Sequence, residues 1–161
     1  MELQGSFTFL AIDGADVRLK SGGSSLTKVE IKAPVRSGKL HIVDSIATIN
    51  LVLALDKLKT GNFFTEAAAR TFIGGYNAHD LVFQGSGTHN GNAYDVSGNA
   101  QAGELDVEIS LTITAVANSP EPEVELVGSA AFGRVHIPLP GIGTVENLII
   151  DIDARLTVSE V

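Results

Sequence analysis

The chain has no cysteine, which excludes disulfides and thiolate metal sites and leaves the redox compartment open. Aromatic residues are scarce, 6% of the total against 44% hydrophobic residues overall, so Ile, Val and Leu must supply most of any core. Basic residues are few as well: 11 Lys and Arg against 19 Asp and Glu, a net charge of -8. Nucleic acid and anionic membranes select basic surfaces, so neither is expected as a partner; the charge reads as solubility. No apolar run approaches the length of a membrane span. The opening MELQGSFTFLAIDG carries Glu2 and no basic region, which is not the design of a signal peptide. With Met1 as the natural start the expected compartment is the cytoplasm; a processed chain would leave periplasm or secretion open. A length of 161 residues suits one domain, 1–161, with ample material for a core.

What is present is period-two alternation punctuated by glycine. In ELDVEISLTITAV, residues Leu105, Val107, Ile109, Leu111 and Ile113 take one face, and Glu104, Asp106, Glu108, Ser110, Thr112 and Thr114 the other. NLIIDIDARLTVS repeats the pattern, with Leu148, Ile150, Ile152, Ala154, Leu156 and Val158 against Asp151, Asp153, Arg155 and Thr157. Successive strand side chains point to opposite faces, so each run has one buried and one wet face. Asp13-Gly14 and Asn90-Gly91 read as hairpin turns, and Asn118-Ser119-Pro120 ends another strand. Strands are expected near 6–12, 15–20, 26–33, 39–46, 71–76, 80–88, 93–101, 104–116, 123–137 and 145–159. About eight strands with one apolar face must close or stack, which predicts an all-β closed antiparallel barrel of lipocalin-like shape. One stretch differs: INLVLALDKLK and FFTEAAAR favour helix by composition, giving an expected helical insertion over about 49–70.

Chemistry-bearing patterns are sparse. His41, His79, His89 and His136 are the only histidines; the spacing from His79 to His89 fits no metal-ligand pattern. Gly85-Ser86-Gly87 lacks the strand–elbow–helix context that a nucleophile needs. No glycine run fits a phosphate cradle, and most carboxylates fall on wet strand faces. No catalytic group, metal or cofactor is therefore assigned. The apolar strand face has two readings, an interlocked core or the wall of a ligand cavity. Gly85, Gly87, Gly128, Ala130 and Ala154 on that face suggest space inside.

Two short stretches carry a family likeness. SIATIN (Ser45 to Asn50) followed by LKTGNFF (Leu58 to Phe64) resembles the paired signature of the YceI-like polyisoprenoid-binding family. The central YDVSGNAQAGELDVEISL, Phe132-Gly133 and the closing ENLIIDIDARL agree with that family in order, so the resemblance spans residues 39 to 160. The family's early Asp-x-x-His-Ser and Gly-x-Phe stretches have no counterpart in residues 1 to 38, and Lys57 stands where its histidine is expected. The resemblance implies an eight-stranded lipocalin-like barrel with a helical insertion, holding a long isoprenoid or other lipid. Together with the alternation it makes Phe72, Leu81, Phe83, Ile109, Leu111, Phe132, Ile150 and Ile152 the expected ligand-binding walls. Phe63–Phe64 is expected to close one end. Two rivals stay open: an empty structural barrel acting through protein contacts, such as a homodimer, and a cavity enzyme of cyclase or isomerase type. The enzyme would need a polar pair inside the barrel, with His41 or His136 as nearest candidates.

Overall fold

A computed structural model describes residues 4–12, 14–22, 30–59, 79–103, 105–116, 120–137 and 143–161; for 21–22, 105, 132–137 and 143–148 it describes the backbone alone. Nine strands run through these residues: β1 (Gly5–Phe9), β2 (Asp16–Gly22), β3 (Glu30–Val43), β4 (Ile46–Ala54), β5 (Asp80–Asn90), β6 (Ala93–Ala102), β7 (Leu105–Ala115), β8 (Glu123–Ile137) and β9 (Gly143–Glu160). From β3 onward each strand pairs antiparallel with the next. The last strand returns to the first two, and both of these pair with β3, so the sheet closes. β1 and β2 share both neighbours and run in the same direction. They are one stave in two pieces, which makes an eight-stave up-and-down barrel from nine strands. Closure is complete around the body of the barrel, but the β7–β8 pairing stops at Ile109 and Ala130, so that residues 131–137 of β8 pair with β9 alone.

The broken stave accounts for Asp13-Gly14. Across it the register on β3 steps from Lys39, opposite Thr8, to Pro34, opposite Asp16. The stave uses more residues than β3 over that stretch, and the surplus bulges outward with Ile12 exposed. Gly14 at φ 87° and the Ala15 N–H donating to Ile12 O (3.0 Å) turn the chain back into line. The dipeptide therefore marks an interruption within a stave and not the expected hairpin. True hairpin turns lie at Asp44-Ser45, both at positive φ (53° and 64°), and at Gly91-Asn92, with Gly91 at φ 64°. The second turn sits one residue beyond the expected Asn90-Gly91, because Asn90 pairs with Ala93.

The expected helical insertion is corrected over its first part. Residues 49–54 complete β4, paired with β3 on one side and β5 on the other. Ile49, Leu51 and Leu53 are buried by that placement. Two ladders and an apolar face outweigh a composition preference of a few tenths of a kcal/mol per residue. Beyond β4 the chain makes a single 3-10 turn, Leu55–Lys57. Residues 60–70, the expected strand 71–76 and the Phe63–Phe64 pair lie outside the described residues.

The long strands alternate as the sequence demands. Val107, Ile109, Leu111 and Ile113 of β7 and Ile152, Ala154, Leu156 and Val158 of β9 are buried, with their polar neighbours outside. The outer wall is held by cross-strand ion pairs, Arg18 with Asp153 and Arg155 with Glu123 (2.5 Å). Such exposed pairs set register more than they add stability.

Candidate functional site

The inner face of the barrel is the candidate site, because every strand contributes to it and the described part is uniform in chemistry. Among the described residues no polar or charged side chain is buried; the core is Ile, Leu, Val, Phe, Ala and Tyr94. An interior of this kind offers contact area, with the Tyr94 hydroxyl as the polar side-chain group among the described core residues.

The two ends of the barrel differ. One, the hairpin end, gathers the β3–β4 and β5–β6 turns, the β7–β8 connection and both termini. The other, here called the long-loop end, holds the last residues of β2, β4, β6 and β8 and the first of β3, β5, β7 and β9. Toward the hairpin end the inner side chains are large and sealed: Leu40 and Ile42 are 0% exposed, and Ile49, Ile113, Leu126, Leu156 and Val158 are 1%. Toward the long-loop end one side of the same face keeps residual exposure, while Ala33 and Leu55 (0%) and Leu58 and Ala102 (2%) stay sealed. Leu81 and Val107 are at 9%, Ile31 and Ile109 at 8%, Ile152 at 7%, and Leu19 and Ile150 are only half-buried. Val107 and Ile109 thus keep exposure where the β7–β8 pairing ends, at Ile109 and Ala130.

Of the expected wall residues, Leu81, Phe83, Ile109, Leu111 and Ile152 all lie buried in this one interior cluster, and Ile150 packs against it. Leu81, Ile109, Ile150 and Ile152 fall in the looser part, whereas Phe83 (3%) sits deeper. Phe72 and the Phe132 side chain lie outside the described residues. Sequence reasoning missed Leu19, Ile31 and Val107 as members of the looser ring. Ile31 and Leu19 face each other across β2 and β3. Their alternation was visible in VRLK and VEIKA, but a short run beside glycine-rich chain gives little periodic signal.

The glycines play another part than the one expected. A Cβ on Gly98 would lie 2.0 Å from Gln84 O, and one on Gly87 1.6 Å from Asp95 O. At Gly85 the space is taken by the Phe83 ring, 2.9 Å away. These positions let neighbouring backbones approach where the sheet coils. They do not open a cavity.

The histidine alternatives resolve in part. His41 is on the outer surface, its Nδ1 2.6 Å from Ser6 Oγ. It therefore supplies no polar group to the interior. His89 stands at the hairpin-end rim, its ring edge-on to Tyr94 at 5.2 Å, and His79 is exposed. The His136 side chain lies outside the described residues. Among the described residues no three His, Asp or Glu gather in a way that could hold a metal.

Outside the wall, Arg36 is the main electrostatic feature. It sits at a bulge in β3, bonding Asp80 at the start of β5 (2.6 Å) and Asp56 in the 3-10 turn. The Asp80 hydrogen bond is the largest cause holding the guanidinium pKa above its ordinary value. One cation thereby ties down both ends of the 55–79 connection, beside the Leu55 N–H to His79 O bond (2.8 Å). A shallow outer depression of about 560 Å³, lined by Asp80, Gln84, Asn99 and Gln101 among others, lies alongside.

With this geometry in hand, comparison with known proteins adds the fold. The chain is similar to the crystal structure of Burkholderia cenocepacia BcnA at 12% sequence identity, with a TM-score of 0.55, covering 89% of this chain and 95% of that one. The shared architecture is a lipocalin-like barrel. No protein-family model and no curated protein matches the chain. Among the described residues no helix is long and apolar enough to cross a membrane.

Proposed function

We propose that this protein binds and carries a long apolar ligand, an isoprenoid quinone or other polyisoprenoid lipid, inside the barrel and performs no covalent chemistry on it. The observation that carries this reading is the interior itself: apolar throughout the described residues, and keeping exposure on one side of the long-loop end, at Leu81, Val107, Ile109 and Ile152. The lipocalin-like fold and the likeness of residues 45–64 to the YceI-like signature support it. Each buried methylene contributes roughly 0.8 kcal/mol, so a prenyl chain is held without polar contacts. The ligand enters at the long-loop end, since the hairpin end is sealed.

The test is native mass spectrometry and organic extraction of protein purified from its own host. A co-purified long-chain lipid, bound saturably when added back, is the expected result; an empty protein with no saturable binding of long isoprenoid quinones sinks the reading. Ala130, 3% exposed between Ile109 and Ile150, is the place to fill the cavity. Ala130→Trp should weaken binding tenfold or more, on the order of 1.4 kcal/mol, while circular dichroism stays unchanged.

A second reading, a structural barrel acting through contacts such as a homodimer, rests on the exposed Val43 and Ile46 (43% and 50%), paired at one hairpin tip. It predicts an empty barrel in the same extraction and a dimer in sedimentation.

A further inference from the structure

We infer that the seam where β7 and β8 part is a docking edge for an extended peptide with a basic–apolar–basic pattern, which adds as a strand to residues 105–108. The inference concerns the wall and does not depend on the ligand-binding reading. The β7–β8 ladder runs from Ala115 opposite Val124 to Ile109 opposite Ala130 and stops there. β8 continues to Ile137 on β9 alone, with register shifts between Ala131 and Val135. β7 continues back to Leu105 on β6 alone. The parity of the ladder decides which groups the seam leaves open. Facing residues of an antiparallel pair alternate between exchanging both hydrogen bonds and exchanging none. The Val116 N–H bonds Glu123 O (3.0 Å), so the even residues of β7 aim N–H and C=O at β8 and the odd ones at β6. Glu108 and Asp106 are the next even residues past the last paired position. Among the described residues the register gives neither a partner on β8. Asp106, three residues beyond that position, is the open donor and acceptor on which the test turns.

Backbone groups repeating about every 6.8 Å along a strand edge match the backbone of another extended chain. The side chains say which chain. Asp106 and Glu108 are exposed on the outer face, and Val107 between them points inward at 9% exposure. In an antiparallel addition, residues opposite Asp106 and Glu108 share the outer face and the residue opposite Val107 shares the inner one. Cations at the two outer positions and an apolar side chain at the inner one complete the edge. The barrel itself supplies no such cations nearby: β5, β6 and β7 carry Asp80, Asp95, Asp106 and Glu108 and no Lys or Arg. Asn99 (2.7 Å) and Gln101 (3.4 Å) donate to Asp106 and hold its carboxylate in place on this face. A second copy of β7 is excluded as the occupant, because two such edges paired antiparallel in this phase set acid against acid.

The test is amide hydrogen exchange of the intact protein, read by nuclear magnetic resonance, with three end-blocked peptides. They are Lys-Val-Lys-Val-Lys, Glu-Val-Glu-Val-Glu, and the first of these N-methylated at each lysine, which removes the donors facing β7 and keeps the charges. In the free protein the Asp106 amide should exchange fast, while the Val107 amide, bonded to β6, is protected. The basic peptide should bind saturably and, at about ten times its dissociation constant, slow exchange at Asp106 about tenfold. The acidic peptide should bind about tenfold or more weakly, and Asp106→Lys combined with Glu108→Lys should reverse that order. The methylated peptide should not bind. Equal binding of both basic peptides shows attraction between charges alone and overturns the strand addition. An Asp106 amide already protected in the free protein overturns the open edge, since the chain then covers it. Protection that grows with protein concentration means that a second copy pairs there, and overturns the proposed occupant. Binding of no peptide overturns the inference and leaves the ligand-binding reading standing.

Discussion

Gly98 has no room for a side chain. A methyl group there would meet backbone atoms of β5, Gln84 O at 2.0 Å and Gly85 Cα at 2.5 Å, and backbone cannot swing aside as a side-chain tip can. Gly98→Ala should therefore cost about 2–3 kcal/mol in urea unfolding. Gly14 offers the contrast: its φ of 87° strains any other residue, yet nothing stands within 4 Å. Gly14→Ala should cost only about 1 kcal/mol; equal losses at both sites would show that crowding is not what selects glycine in β6. The alternation is testable in the same way. Leu111→Asp puts a carboxylate among apolar neighbours and should cost about 4 kcal/mol or more. The matching control is Ser110→Asp, since Ser110 is exposed and lies between Ser97 and Ser129; it should stay within about 0.5 kcal/mol. Thr112 is the poorer control, because Asp95 lies directly opposite and a second carboxylate would be repelled.

Among elements, the strands that read clearly were those with one wet face. β7 alternates from Asp106 to Ile113 and β9 from Ile149 to Ser159, and β6 nearly so. β4 was hidden because Val52 carries an apolar side chain on the outer face, opposite Val82, so INLVLA shows a continuous run and not a period of two. β3 was read as two strands because Pro34 and Ser37-Gly38 look like punctuation; the chain passes through them with a bulge at 35–37. Of the seven looser residues, Leu81, Ile109, Ile150 and Ile152 were legible, whereas Leu19, Ile31 and Val107 were not. The position of a residue along the barrel depends on how staves stagger around it, which no single strand encodes. The Arg36 tie is an element-scale device of this kind, drawing on three separate segments. Arg36→Gln should speed hydrogen exchange at the Leu55 amide, with little change at Leu40 in the core. A guanidinium pKa raised above its ordinary value contributes stability in full below that ordinary value and loses it only above the raised one, far into the alkaline range. No loosening of this tie through loss of the Arg36 charge is therefore expected near neutral pH.

The whole molecule combines a dry, apolar interior with a charged exterior. Ligand affinity should accordingly change less than about twofold between roughly 0.05 and 0.5 M salt, and a steep salt dependence would move the binding site to the outer wall. Closure joins the first stave to the last, with Phe7 opposite Glu160 and the Val161 N–H bonded to Ser6 O (2.9 Å). The two chain ends thus leave the barrel side by side from antiparallel neighbours at the hairpin end. Tension applied between them would not load those ladder bonds all at once; it would open them singly, like a zip, beginning at Ser6 and Val161. The break at 10–15 then halts the tear before it reaches β2. Pulled by its termini, the barrel should yield at low force in two steps, first shedding β1 and only then the remaining staves.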